Sequence, residues 1–173
     1  MCFKALYLAT LLQSPGYVAH GTLTLGDTDL RKLKPAEAHK VRGDRISMIF
    51  QDPQTSLNPL MTIELQLIET IQTHSDSSKN EARKRAVDLL EEIGIKNAAQ
   101  RIKAYPHQFS GGMRQRVVIA LAISTDPKLI IADEARTALD VAVQSQVLDL
   151  IQRLAKERQI AFMLITHGIG VIA

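Results

Sequence analysis

Apolar residues recur along this chain in two rhythms, a 3.6-residue spacing that predicts helices and short runs, bounded by turn residues, that predict strands. Ala86, Leu89, Leu90 and Ile93 share one face of a helix that Gly94 closes, and Ser78 and Glu81 stand at the spacing of a capping box before it. Val143, Val147, Leu150, Ile151 and Leu154 share a face of a second helix, capped by Asp140. Met113, Val117, Ala120 and Leu121 form a stripe on a helix over 111–124, which Asp126-Pro127 ends. Residues 63–71 read as another helix, followed by a polar loop at 74–78. Pro35 suits the first turn of one running to about Val41, with Gly43 closing it. Residues 3–12 read as the end of an apolar helix stopped by Ser14-Pro15-Gly16. Thr22-Leu23-Thr24-Leu25 alternates as a short strand with Gly26-Asp27 as its turn, 46–50 is a buried strand, and 129–132 and 161–165 are further apolar strands. Strands alternating with helices predict an α/β domain with a helical insert between Ile63 and Ile102.

Composition narrows the class. A chain of 173 residues, 46% apolar and 23% charged, has the length and balance of one soluble globular domain. With 4% aromatic residues and no Trp, its core rests on Leu, Ile, Val and Ala, which suit a parallel sheet covered by helices. The net charge of +3 is interspersed, which argues against a nucleic-acid footprint. A single cysteine, Cys2, excludes an internal disulfide. The longest apolar run, 117–123, is too short to span a bilayer. The start, Met1-Cys2-Phe3-Lys4 followed by apolar residues, lacks a small-x-small cleavage site and reads as a buried helix, not a secretory signal.

The chemistry lies at the ends of the apolar strands. Gln51 follows the strand at 46–50, Asp133-Glu134 the one at 129–132, and His167 the one at 161–165. Open α/β sheets bind ligands beyond the carboxyl ends of their strands, so this order collects an amide, two carboxylates and an imidazole at one edge. Phe109-Ser110-Gly111-Gly112-Met113-Arg114-Gln115 adds a Ser-Gly-Gly turn opening a helix, a cluster of backbone N–H groups that cradles an anion. Glycine lets that backbone approach an oxyanion closely, and Ser110 doubles as the N-cap. Singly, each feature has an ordinary structural explanation: a helix start, a solvated strand end, a turn glutamine, a structural histidine. Jointly they point to a site for a nucleoside triphosphate and Mg²⁺.

The longer strings resemble those of the ATP-binding subunits of ABC importers for dipeptides, oligopeptides and nickel. Ile46-Ser47-Met48-Ile49-Phe50-Gln51-Asp52-Pro53 with Thr55-Ser56-Leu57-Asn58-Pro59 is similar to their Q-loop region. Tyr105-Pro106-His107-Gln108-Phe109-Ser110-Gly111-Gly112-Met113-Arg114-Gln115-Arg116-Val117 resembles their signature segment. Leu129-Ile130-Ile131-Ala132-Asp133-Glu134 resembles the Walker B strand, Thr137-Ala138-Leu139-Asp140 the D-loop, and Ile165-Thr166-His167 the switch-histidine strand.

The resemblance covers nearly the whole chain and implies a P-loop NTPase-like ABC ATPase domain. Residues 1–60 and 103–173 would form its sheet and catalytic core, and 61–102 a helical subdomain with the signature helix following. It implies ATP and Mg²⁺, with Asp133 ordering the metal shell, Glu134 polarising the attacking water, His167 sensing the terminal phosphate, and Gln51 contacting metal and water. Ser110, Gly111 and Gly112, with Gln115 and Asp140, would serve ATP shared with a second ABC ATPase subunit, alike or different. Residues 51–60 and the insert would receive a short cytoplasmic helix of the integral membrane permease subunits. The substrate-binding protein would be an indirect partner, and the location the cytoplasmic face of the cell membrane.

Departures from the pattern carry their own expectations. No Gly-x-x-x-x-Gly-Lys-Ser/Thr run occurs in the 173 residues. An incomplete copy is therefore expected, N-terminally truncated and C-terminally short, with impaired hydrolysis and apolar surface left uncovered. The alternative is a non-hydrolysing partner that lends its Ser110-Gly111-Gly112 turn to an intact subunit. Ala135-Arg136 stand where the family has Pro-Thr after the glutamate, and Gly168 where an Asp follows the histidine. An ABC protein acting on nucleic acid or the ribosome is disfavoured by the charge pattern and by the 51–59 string.

Overall fold

The computed structural model describes residues 21–50, 52–133 and 141–165. The helix predicted over 3–12 lies outside them. Strands β1 (Thr24–Leu25) and β2 (Thr28–Asp29) form an antiparallel hairpin around Gly26-Asp27. The alternation anticipates the turn but starts the first strand two residues early and does not mark the second, which contains no apolar residue. Helix α1 (Pro35–Asp44) starts on a residue whose missing N–H would have had no partner there, and the Glu37 carboxylate accepts from Lys34 N–H at 2.8 Å. Helical geometry fails at Arg42 and Gly43, so the closing glycine is where the sequence places it.

Three strands make the central sheet: β3 (Ile46–Ile49), β4 (Leu129–Asp133) and β5 (Ala161–Ile165), parallel and adjacent in that order. Phe50 falls outside β3, one residue short of the expected strand. Ile49, Ile130, Ala132, Phe162 and Leu164 point to the larger core, while Ile46, Met48, Leu129, Ile131 and Ile165 point to a smaller one built with Leu30 and Val41. This period of two puts apolar residues on both faces of the sheet, which is well buried along β4 and at the ends of β3, while the edge strand β5 is only partly covered.

Between β3 and β4 the described elements are helical: α2 (Pro53–Ser56), α3 (Ile63–Thr73), α4 (Lys79–Glu92), α5 (Ala98–Arg101), a 3₁₀ turn at Pro106–Gln108, and α6 (Gly111–Ile123). Thr62 caps α3, its hydroxyl accepting from Leu65 N–H at 3.3 Å. Ser78 caps α4 in a reciprocal box: its hydroxyl accepts from Glu81 N–H at 3.4 Å, and the Glu81 carboxylate accepts from Ser78 N–H at 2.8 Å. A hydrogen bond from the Ser78 side chain, with a smaller contribution from the Ser78 N–H, holds the Glu81 carboxyl below the usual carboxylate range. Ala86, Leu89 and Leu90 of α4 are buried as the pattern requires, with Ile93 and the left-handed Gly94 (φ +82°) closing the helix.

Helix α6 corrects the single-stripe reading. Val117, Val118, Ile119, Ala120, Ala122 and Ile123 are all buried, whereas Met113 and Leu121 are only half-buried. An apolar run with no polar face is enclosed on every side, so α6 is a core helix between the insert and the sheet. Helix α7 (Val141–Arg158) then connects β4 to β5 and buries Val147, Leu150, Ile151 and Leu154, as its period predicts.

A cluster of charges joins the ends of these helices. Arg158 of α7 donates through Nε to Glu92 Oε1 at 2.8 Å and pairs with Asp126, which Arg85 of α4 also meets. The bond to Glu92 is the main reason the Arg158 guanidinium is held more firmly protonated than usual. Among the described residues, no helix is long and apolar enough to cross a membrane.

Candidate functional site

The parallel register decides where the strand ends lie. Ile49 stands opposite Ala132, and Asp133 opposite Ile165, so β3, β4 and β5 all finish at one edge of the sheet. Gln51 comes two residues after β3, Glu134 directly after β4, and His167 two residues after β5. Gln51, Glu134, His167 and Asp140 lie outside the described residues, and of Asp133 only the backbone is described, as the last residue of β4.

The glycine turn is described in full. Ser110 is the N-cap of α6 in extended geometry, its hydroxyl accepting from Met113 N–H at 3.3 Å, and Arg114 N–H closes the first helical bond on Ser110 O at 2.9 Å. The approach to Ser110 is fixed locally. Gln108 Oε1 accepts from Tyr105 N–H at 2.8 Å, the Tyr105 and His107 rings stack with centroids 5.6 Å apart, and Phe109 is buried. Ser110 therefore sits exposed between a buried anchor and a capped helix, with Gly111 and Gly112 half-buried behind it. The first turn of α6 carries no acidic residue, and its leading N–H groups have no helical acceptor, so the turn suits an anion.

Gln115 behaves differently from its neighbours. It is 1% exposed, and its Nε2 finds no hydrogen-bond partner among the described residues. Its side chain is thus enclosed, whereas Ser110 is exposed.

A contact that sequence reasoning did not foresee, between Arg116 and the end of α4, fastens this turn to the insert. Arg116 Nη1 donates to Ile93 O at 2.7 Å and Nη2 to Gln146 Oε1 of α7 at 3.4 Å, so one guanidinium joins α4, α6 and α7. Gly94 makes room for it: a Cβ there would stand 2.7 Å from Arg116 Nη1. The pairing of a helix-closing glycine with an arginine 22 positions later leaves no local signal in the sequence. A cavity of about 390 Å³ lies between β3, α2 and α6, lined by Ser47, Phe50, Thr55, Val118 and Leu121 among others. No cluster of three His, Cys, Asp or Glu side chains converges among the described residues.

Known proteins resemble this chain in sequence and in fold. Residues 4–137 match the family described as ABC transporter. The chain is 48% identical over 170 residues to the oligopeptide transport ATP-binding protein AppD of Bacillus subtilis, covering 98% of this chain and 52% of that protein. It is 44% identical over 170 residues to the dipeptide transport ATP-binding protein DppD of Escherichia coli, again covering 98% and 52%. The chain thus spans about half the length of these relatives. A solved dimeric ATP-binding cassette in a post-hydrolysis state, bound to ADP and Pi, superposes with a TM-score of 0.73 at 29% identity, over 88% of this chain and 65% of that one. With a parallel sheet flanked by helices, a capped glycine turn and a family match over most of its length, the chain belongs to the ABC transporter family.

Proposed function

We propose that this chain is the ATP-handling part of the ATPase subunit of a peptide importer, working as one of a pair on the cytoplasmic face of a membrane. The observation that carries the proposal is the common edge at which β3, β4 and β5 end, with Gln51, Asp133-Glu134 and His167 next in sequence. The names of the relatives, all peptide transport ATP-binding proteins, support the cargo class. The division into a sheet core (1–60 and 103–173) and a helical subdomain (61–102) is part of the same proposal. Every described element between Ile63 and Arg101 is a helix, and every described strand falls outside that range.

The donor chemistry suits ATP with Mg²⁺. Carboxylate and amide oxygens are the ligands such a hard cation takes, and Asp133 and Gln51 would hold it. When bound, Mg²⁺ neutralises charge on the phosphates. Glu134 orients and polarises the attacking water, and His167 donates to the terminal phosphate. Ser110, Gly111 and Gly112 offer a hydroxyl and backbone N–H groups to ATP held by the facing subunit, which is the preorganised electrostatics that phosphoryl transfer depends on. Gln115 and Asp140 belong to the same shared nucleotide site, Asp140 from the D-loop-like segment. Residues 51–60 and the insert receive a cytoplasmic helix of the permease, through which closure of the pair opens the transport path. The 173 residues contain no Gly-x-x-x-x-Gly-Lys-Ser/Thr run, so in this proposal other residues supply the main phosphate grip.

The test uses the intact subunit that carries these residues. Glu134→Gln is expected to lower turnover about 100-fold or more. Ser110→Arg should stop turnover while ATP binding by the free subunit persists. Retained turnover in the first variant overturns the catalytic assignment, and lost binding in the second overturns the role in trans. The absent phosphate-loop run favours one second reading, a partner without turnover of its own. In that case the unmodified chain accelerates a competent relative, and Ser110→Arg alone removes the acceleration.

A further inference from the structure

Gln66 is a polar side chain in the buried face of α3, only 9% exposed. It spends its whole amide on one loop. Oε1 accepts from Asn58 N–H at 2.9 Å, and Nε2 donates to Asn58 O and to Met61 O, both at 3.1 Å. The loop repeats the device internally, since Asn58 Oδ1 accepts from Leu60 N–H at 3.0 Å and Met61 N–H donates to Asn58 O at 3.3 Å. Leu57, buried in the large core, anchors one end. At the other, Ile63 N–H donates to Ala104 O and Glu64 N–H to Ile102 O.

The backbone from Asn58 to Met61 is therefore pinned to α3, and its tip is Leu60. At 85% exposure, Leu60 is the most exposed large hydrophobic side chain among the described residues. A slack loop would fold such a residue against the nearest apolar surface, because burial is favourable and nothing prevents it. Here the amide of Gln66 holds the loop out, and it makes the loop move with the insert.

We propose that Gln66 is the positioning residue that locks the loop at 58–61 to α3, keeping Leu60 extended for an apolar contact on the membrane subunit. This rests on the reading above that residues 51–60 meet the permease. A buried glutamine whose three hydrogen bonds all go to one loop backbone is explained by a need for that loop's shape. An apolar residue would have filled the same volume without desolvating an amide.

The experiment uses the intact ATPase subunit bearing these residues, free and assembled with its membrane subunits in proteoliposomes. Two readouts are taken: backbone amide exchange at Asn58, and the factor by which the membrane subunits change the rate of ATP hydrolysis. Gln66→Met is expected to speed Asn58 exchange about tenfold. It should shrink the coupling factor about fivefold while leaving hydrolysis by the free subunit within about twofold. Ile71→Val, in the same helix and also buried, destabilises without touching the loop and should leave the coupling factor alone. Gln66→Glu keeps an acceptor for Asn58 N–H but loses both donated bonds, so it should fall between, and it carries the test if Gln66→Met does not accumulate. Leu60→Asp should abolish coupling outright.

The outcomes separate the two claims. If Leu60→Asp leaves coupling intact, the permease reading of 51–60 fails and the positioning role with it. If Leu60→Asp removes coupling but Gln66→Met preserves it while freeing the Asn58 amide, the positioning role alone is overturned. An unchanged Asn58 exchange rate in Gln66→Met also overturns it.

Discussion

Replacing Gly94 by alanine probes the joint that holds the glycine-led helix to the insert. Gly94 sits at φ +82°, a left-handed conformation that costs an alanine about 1–2 kcal/mol. The new Cβ would also stand 2.7 Å from Arg116 Nη1, which donates to Ile93 O. That nitrogen ends a flexible side chain and can swing away, so the added loss is part of one charge-assisted hydrogen bond, about 1 kcal/mol. Stiffening the unfolded chain returns about 0.5 kcal/mol. The net destabilisation is about 2 kcal/mol, which for a chain of this size lowers Tm by about 4–8 °C.

Thermal and urea unfolding of the two proteins measure it. Gly94→Asn, which tolerates the left-handed region better, should lose less. In a double-mutant cycle, removing the guanidinium with Arg116→Met should make Gly94→Ala cheaper by about 1 kcal/mol. An unchanged or raised Tm in Gly94→Ala would refute the left-handed closure of α4. An additive cycle would refute the Arg116 contact.

Two further outcomes follow from the helix ends. Ser78→Ala should cost about 1 kcal/mol of stability by removing the cap of α4, read by urea unfolding, and should raise amide exchange at Glu81. Because hydrogen bonds with Ser78 hold the folded Glu81 carboxyl below its unfolded value, the stabilisation is present above the ordinary glutamate range. It is lost as pH falls through the lower folded value. Exchange protection of the first turn of α4 should therefore weaken on acidification in the unmodified protein, and much less in Ser78→Ala. Arg158→Met should cost about 1–3 kcal/mol, since it leaves the half-buried Glu92 carboxylate without its cation. About 1 M salt should narrow that difference, because the Asp126 arm of the cluster is exposed and screened.

How much of this was legible in the sequence depended on distance along the chain. The faces of α4 and α7 are local patterns, and Leu89, Leu90, Val147 and Leu154 are buried where the spacing puts them. The capping box at Ser78 and the glycine closing α4 are equally local. Helix α6 misleads because a run such as Val117-Val118-Ile119-Ala120 has no polar face, so a stripe of Met113, Val117, Ala120 and Leu121 leaves out Val118 and Ile119, which are buried as well. The strand Thr28–Asp29 is invisible to apolar alternation. The polar residues that tie the helices together pair at long range: Arg116 with Ile93 O, and Arg158 with Glu92, 66 positions away. Gln66 reads as one more polar residue in a helix until its loop is seen folded back upon it.

The central claim is that the nucleotide's metal-bearing tail sits at the carboxyl edge of β3, β4 and β5. Substituting Mn²⁺ for Mg²⁺ in the ATP complex of the intact subunit tests it directly, by paramagnetic broadening of backbone amide signals. A strand rises about 3.3 Å per residue, so Leu129 lies about 13 Å farther from that edge than Asp133. The account predicts that Ile49, Ala132, Asp133 and Ile165 broaden much more strongly, at low Mn²⁺ occupancy, than Ile46, Leu129 and Ala161. Equal or stronger broadening at the opposite ends of the strands, or none along the sheet, would contradict it.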